Sequence, residues 1–256
     1  MSDVALLGAQ VRYGLLGFVR NARAMVFTVV MPVVLLVLFN SIFTGTTTFH
    51  GNEVPMANYF TPGIIAYAVM LSGYSSLLVS VVTARERGII KRFRGTPMPA
   101  WVYLAAIVGQ TIVVIAATVA VLVAIGVAFY QLRLTGPTVV GVVGYTVIGT
   151  ATMCAIGLAL TAVATTADSA SAIGPFSTVT LAFVSGVFIP VATMPAWLVD
   201  IGTVFPLAHL ATGLQSAFLE SNTTGLTGRD LAVLAAWFVG AAVVALRTFR
   251  WEPQGR

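Results

Sequence analysis

The densest cluster of side chains suited to binding chemistry is Arg85-Glu86-Arg87-Gly88-Ile89-Ile90-Lys91-Arg92-Phe93-Arg94-Gly95-Thr96-Pro97-Met98-Pro99. Basic residues and the acid Glu86 surround Ile89, Ile90 and Phe93, and the i, i+4 spacing of Ile89 and Phe93 places them on one helical face. Pro97 and Pro99 then end that helix. A short, rigid helix with an apolar knob and a charged rim suits docking into a partner's groove. A basic anchor that only enforces membrane topology has the same composition. Other chemistry is sparse. His50, Glu53 and His209 would be the only set for a metal, and ordinary loop and interface histidines are the simpler reading, so no metal site is assigned. No H-E-x-x-H is present, and the lone lysine, Lys91, follows Ile90 rather than a G-x-x-x-x-G run. The phosphate-cradling loop of an ATPase is therefore absent from this chain. No nucleophile, base and acid converge at a readable spacing, so no catalytic residue is assigned and an enzyme is not expected. The single cysteine, Cys154, excludes an intrachain disulfide.

The elements that must carry the basic segment follow from composition. The 256 residues are 58% hydrophobic and 8% charged, with mean hydropathy +0.98. Soluble chains carry about 25% charged residues. Disordered, collagenous and nucleic-acid-binding classes are excluded, the net charge of +5 being gathered in a few clusters beside apolar runs. Runs long enough to cross a bilayer fall at 24–43, 59–83, 101–130, 138–165, 173–191 and 230–246. We read one transmembrane domain over 1–256, an all-α integral membrane protein with six spans. With the N-terminus inside, the cytoplasmic side holds Arg12, Arg20, Arg23, Arg85, Arg87, Lys91, Arg92, Arg94, Arg247, Arg250 and Arg256, against Arg133 and Arg229 outside. Positive charge on the inner side then predicts that both termini are cytoplasmic. The first span is too long for a cleaved signal peptide and lacks a small-x-small site.

Two segments do not fit simple spans. Residues 4–23 are too polar to cross, but Leu6, Leu7, Val11, Leu15, Phe18 and Val19 supply an apolar side. Arg12, Arg20 and Arg23 fall within an arc of about 80° at helical periodicity, which predicts an interfacial helix on the cytoplasmic leaflet. Residues 190–228 are too long for a turn and too apolar for an open loop. Two short helices over 194–220, broken at Phe205-Pro206-Leu207, would either re-enter the bilayer or lie flat as an external cap. The span interiors lack ionisable residues, where ion-coupled carriers usually place them. Asp168, between spans four and five, reads alone as a turn residue or helix cap. Gly141, Gly144, Gly149 and Gly157 allow close helix approach, within the chain or to a second copy.

Glu86-x-Gly88 followed by Phe93-x-x-Thr96-Pro97 resembles the E-x-G…L-x-x-T-P segment of ABC transporter type-2 permeases. The resemblance continues through Ser185-Gly186-Val187-Phe188-Ile189-Pro190, Met194-Pro195-Ala196-Trp197-Leu198 and Pro206-Leu207, an order typical of the daunorubicin-resistance-like drug and lipid exporters. Phe93 stands where leucine is commoner, and Leu214-Gln215 where many members have Leu-Arg. The resemblance implies a permease of the cytoplasmic membrane that binds no cofactor itself. ATP and magnesium would be held by a separate ATPase subunit. It further implies a path shared with a second permease subunit, surrounded by membrane lipids, and a hydrophobic, drug-like or lipid-like cargo. Nucleic acid is not an expected partner.

By resemblance, the ATPase docks on residues 85–97, with Arg85, Glu86, Arg87, Gly88, Ile89, Phe93, Thr96 and Pro97, and on the turn carrying Asp168. The path would be lined from spans one, two and five by Asn40, Ser41, Tyr67, Tyr74, Ser75, Phe183 and Ser185. Export of a lipid-linked glycan by the same fold, an ion-coupled secondary carrier and a membrane-embedded enzyme are the competing readings.

Overall fold

The structure, a computed structural model, describes residues 3–89, 100–220 and 223–248. Phe93, Thr96 and Pro97 lie outside the described residues. In long apolar runs the backbone has no water to bond to and satisfies itself as helix. Helix α1 covers Asp3–Arg20 and buries no residue completely. It stops at Asn21, whose Oδ1 accepts from the Ala24 amide at 3.2 Å and so starts α2, Ala22–Ile42. The expected interfacial helix therefore ends at Arg20, and Arg23 belongs to α2. Its Val11 and Gly14 pack on Gly109 and Gln110 of α4, Ala100–Tyr130.

Between α2 and the next helix lies a two-stranded hairpin, β1 Thr46–Phe49 and β2 Asn52–Pro55, with Phe49 opposite Asn52. His50 and Gly51 turn it with φ of 47° and 83°, the positive pair of a type I′ turn. Helix α3 then runs Met56–Glu86, interrupted by a π-helical turn at Leu71–Ser76. A second π turn, Val26–Val30, sits in α2, and the two meet through Thr28 and Ser76, whose hydroxyls are 3.1 Å apart. The remaining helices are α5 Gly136–Leu160, α6 Ala167–Val184, α7 Ala196–Gly202, α8 Pro206–Leu219 and α9 Gly228–Thr248.

Helices α2, α3, α4, α5 and α9 are long and apolar enough to cross a membrane, and α7 with α8, bent by 99° at their break, make a sixth if taken as one broken span. Helix α6 is shorter than the 173–191 reading at its far end and begins earlier. Thr166 and Ser169 form a capping box that starts it at Ala167, and the left-handed Gly186, φ 74°, follows its end. Its 18 residues rise about 27 Å. The architecture is an all-α integral membrane protein whose only strands, among the described residues, are those of the hairpin.

The core sits around α3, which is buried along nearly its whole length and packs against α2, α4, α5, α6 and α8. Of the two half-helices, α8 is sunk into the bundle between α3, α5 and α9, whereas α7 stays exposed at Trp197 and Ile201. Ten of the fourteen residues of α8 are buried. The glycines of α5 are spent on contacts within the chain. Gly141 faces Thr224, Gly149 faces Leu210, and Gly157 faces the carbonyls of Gly73 and Tyr74.

Candidate functional site

Arg20, Arg23, Arg85, Arg87 and Arg247 share one end of the bundle, and the β-hairpin marks the other. At the arginine-rich end, α3 closes with Gly88 at φ 67°, its amide bonding back to the Arg85 carbonyl at 3.0 Å. This is the left-handed helix stop that glycine favours. Among the described residues nothing lies within 4 Å of where a Gly88 side chain would begin, so the strain expected on substitution is that of the backbone. Gly88→Ala is expected to cost about 1–2 kcal/mol in thermal melts. Gly88→Asn, which tolerates this conformation, should recover much of that loss.

The two residues before this stop point in different directions. Arg85 is buried, and its Nη1 and Nη2 donate to the carbonyls of Thr161 and Ala164 at 2.9 and 2.7 Å, just beyond the C-terminus of α5. Glu86 Oε2 accepts from the amide of Ala167, the first residue of α6, at 2.7 Å. A cation thus meets the negative end of one helix dipole and an anion the positive end of the next. Arg87, Ile89 and Asp168 are exposed on the same patch. Asp168 is not the cap of α6, since Thr166 holds that role.

The candidate path residues fall into two groups. Nearer the hairpin, Phe188 bridges Tyr67 at 5.1 Å, Phe183 at 5.2 Å and Phe39 at 5.2 Å between ring centroids. Phe39 also meets Phe60 and Phe43. Asn40, beside Phe39, donates to the Thr61 hydroxyl at 3.4 Å. Phe188 is delivered by the turn after α6, where the Tyr59 hydroxyl donates to the Gly186 carbonyl and accepts from the Val191 amide. Ser185 begins this turn and is buried, whereas Ser41 and Phe183 are exposed. The second group, Tyr74 and Ser75, lies on the π turn of α3 facing α6. Tyr74 pairs with the Ser177 hydroxyl at 2.6 Å, and Ser75 touches Gly174. Tyr67 and Phe183 therefore share one aromatic cluster around Phe188, Asn40 is bonded to Thr61 beside it, and Tyr74 and Ser75 are separate from it.

Sequence reasoning missed the buried polar centre at the hairpin end. His209 Nδ1 faces Asp230 Oδ1 at 2.6 Å, and its Nε2 faces the Thr203 carbonyl at 2.8 Å. Both partners accept, so the ring is held as an imidazolium paired with the carboxylate. Thr227 donates to the other oxygen of Asp230, and Tyr145 holds this segment by donating to the Gly225 carbonyl and accepting from the Thr227 amide. The interior is therefore not free of ionisable groups: Arg85, His209 and Asp230 are all buried. Each is matched inside the chain, which is what burial of charge requires. His50 pairs instead with Glu220 at 2.7 Å, so the two histidines are held by different carboxylates. Among the described residues no three of His, Cys, Asp and Glu gather as a metal set would. Gln215, where many type-2 permeases carry arginine, is buried and donates to the Tyr59 carbonyl at 3.4 Å.

The model of the family described as ABC-2 type transporter matches residues 6–219, from α1 to the end of α8. No curated protein matches the chain. The chain belongs to the ABC-2 type transporter family, as the membrane-spanning permease component of an ABC transporter.

Proposed function

We propose that this chain is the permease subunit of an ATP-driven exporter for an uncharged hydrophobic or amphipathic cargo, drug-like or lipid-like. The observation that carries the cargo chemistry is the aromatic cluster in which Phe188 joins Phe39, Tyr67 and Phe183, with Asn40 next to Phe39 in the chain and bonded to Thr61. It is aromatic with an amide nearby, and none of these residues carries a charge at neutral pH. Stacking and dispersion hold an apolar cargo on such a surface, while an ion would go uncompensated there. Phe183 and Ser41 are exposed at its edge, where a second permease subunit would complete the path.

Energy comes from a separate ATPase subunit, bound at the arginine-rich end, which also binds the ATP and magnesium. That end faces the cytoplasm of the cell membrane, by the bias of positive charge to the inner side. Closure of the ATPase dimer would rock the helices between inward- and outward-open arrangements as rigid bodies. The test is coexpression with a candidate ATPase carrying a phosphate loop, followed by copurification and a screen for compounds that stimulate hydrolysis. A stable complex stimulated by neutral amphipaths is expected. A chain that transports such compounds along an ion gradient, with no ATPase bound, would overturn the reading.

A further inference from the structure

Arg85 and Glu86 are consecutive, and each secures one end of the same short turn. Arg85 reaches inward to the carbonyls of Thr161 and Ala164, and Glu86 reaches the amide of Ala167. The turn they enclose joins α5 to α6 and presents Thr165, Thr166 and Asp168 to solvent. On the other side of the clamp, Arg87 and Ile89 are exposed as the chain leaves α3. Two surfaces far apart in sequence are thereby fixed side by side. Arg85 is buried, and Glu86, although exposed, has its Oε2 engaged by the Ala167 amide.

We infer that Arg85 and Glu86 are positioning residues rather than docking contacts. They weld the end of α3 to the α5–α6 turn, so that a push on either exposed surface moves both. The contacts with the ATPase then come from Arg87, Ile89 and Asp168. This deepens the reading of the chain as an ATPase-driven permease and rests on it for the identity of the partner. It also gives the Glu-x-Gly pair a physical meaning: the glutamate takes the first free amide of α6, beside the Thr166 cap, and the glycine two residues later ends α3.

A docking charge and a helix cap respond differently to the same two substitutions. Glu86→Gln keeps a side-chain oxygen for the Ala167 amide but loses the charge, and Glu86→Ala loses both. In the full-length complex with its ATPase, both variants should copurify as the parent does. Glu86→Ala should uncouple hydrolysis from the permease by about tenfold, the factor carried by one hydrogen bond to a charged group. Glu86→Gln should recover most of that loss. Arg87→Glu and Asp168→Arg, by contrast, should weaken copurification itself. Equal failure of Glu86→Gln and Glu86→Ala to copurify would make Glu86 a docking charge and overturn the inference.

Hydrogen exchange on the chain alone separates this from the choice of partner. The Ala167 amide has no carbonyl of its own helix to bond to, as the first residue of α6. It should be protected in the parent and in Glu86→Gln, and exchange about tenfold faster or more in Glu86→Ala. An unprotected Ala167 in the parent would refute the clamp. Absence of any ATPase complex with an intact clamp would refute the partner only.

Discussion

Asp230→Ala is expected to destabilise the protein by about 3–5 kcal/mol, because it strands the His209 imidazolium in a buried site. The side chains of the pair are 6% and 10% exposed, so water cannot replace the lost carboxylate. Three elements depend on the pair. His209 begins the buried half-helix α8, the Thr203 carbonyl ends α7, and Asp230 opens α9. The bend between α7 and α8 is thus pinned to the start of the last span. Thermal unfolding in lipid nanodiscs reads the loss, at about 2–4 °C per kcal/mol for a chain of this size. His209→Leu should fall in the same range, since it leaves the carboxylate unpaired. The double variant His209→Leu/Asp230→Leu should be no worse than either single one, because removing both charges avoids the orphan. A melting point of Asp230→Ala within about a degree of the parent, or strictly additive losses, would show that the pair carries no such energy.

That pair also marks the limit of what the sequence could convey. The spans were legible because long apolar runs admit one solution in lipid, and their ends moved by a few residues, in two places because a side-chain cap intervened. Asn21 stopped α1, and Thr166 with Ser169 started α6 ahead of its apolar run. The hairpin at Thr46–Pro55 has a readable trace in the sequence: three β-branched threonines before His50-Gly51, a two-residue turn containing glycine. The His209–Asp230 pair left none. Twenty-one residues and a helix break separate its members, and no periodicity links a half-helix to the span after it.

At the arginine-rich end the residue types were legible and their roles were not. Charge beside glycine suggested contact with a partner, but the groups that Arg85 and Glu86 bind are backbone carbonyls and an amide. Backbone partners have no signature in side-chain identity. The path residues behaved similarly. Tyr67 and Phe183 lie on helices whose mutual rotation is set by the turn that inserts Phe188, and that turn depends on Gly186 and Tyr59. For the glycines of α5, sequence alone left internal packing and a second copy both open. Gly141, Gly149 and Gly157 face Thr224, Leu210 and the α3 backbone, so their small size serves contacts inside the bundle.

Gly157→Leu is expected to abolish accumulation of folded protein, whereas Gly157→Ala should cost about 1–3 kcal/mol, the usual range for overpacking. A β-carbon at this position would lie 2.9 Å from the Tyr74 carbonyl oxygen and 3.0 Å from that of Gly73. Both are backbone atoms, so neither can rotate away as the end of a flexible side chain would. They also belong to the π turn of α3, and Gly73 in its turn has Met153 and Cys154 of α5 against it. The two helices therefore meet glycine to backbone from both sides, and a leucine must drive them apart along the length of that contact. Separation would displace Tyr74 from Ser177 and loosen the turn that Arg85 and Glu86 hold at the next level down. Membrane-fraction yield and size-exclusion profiles read the leucine variant, and thermal melts the alanine one. A partial loss in Gly157→Ala beside a complete one in Gly157→Leu is the signature of graded steric conflict. A Gly157→Leu protein that folds and melts like the parent would mean that α5 and α3 do not approach as closely as these distances require.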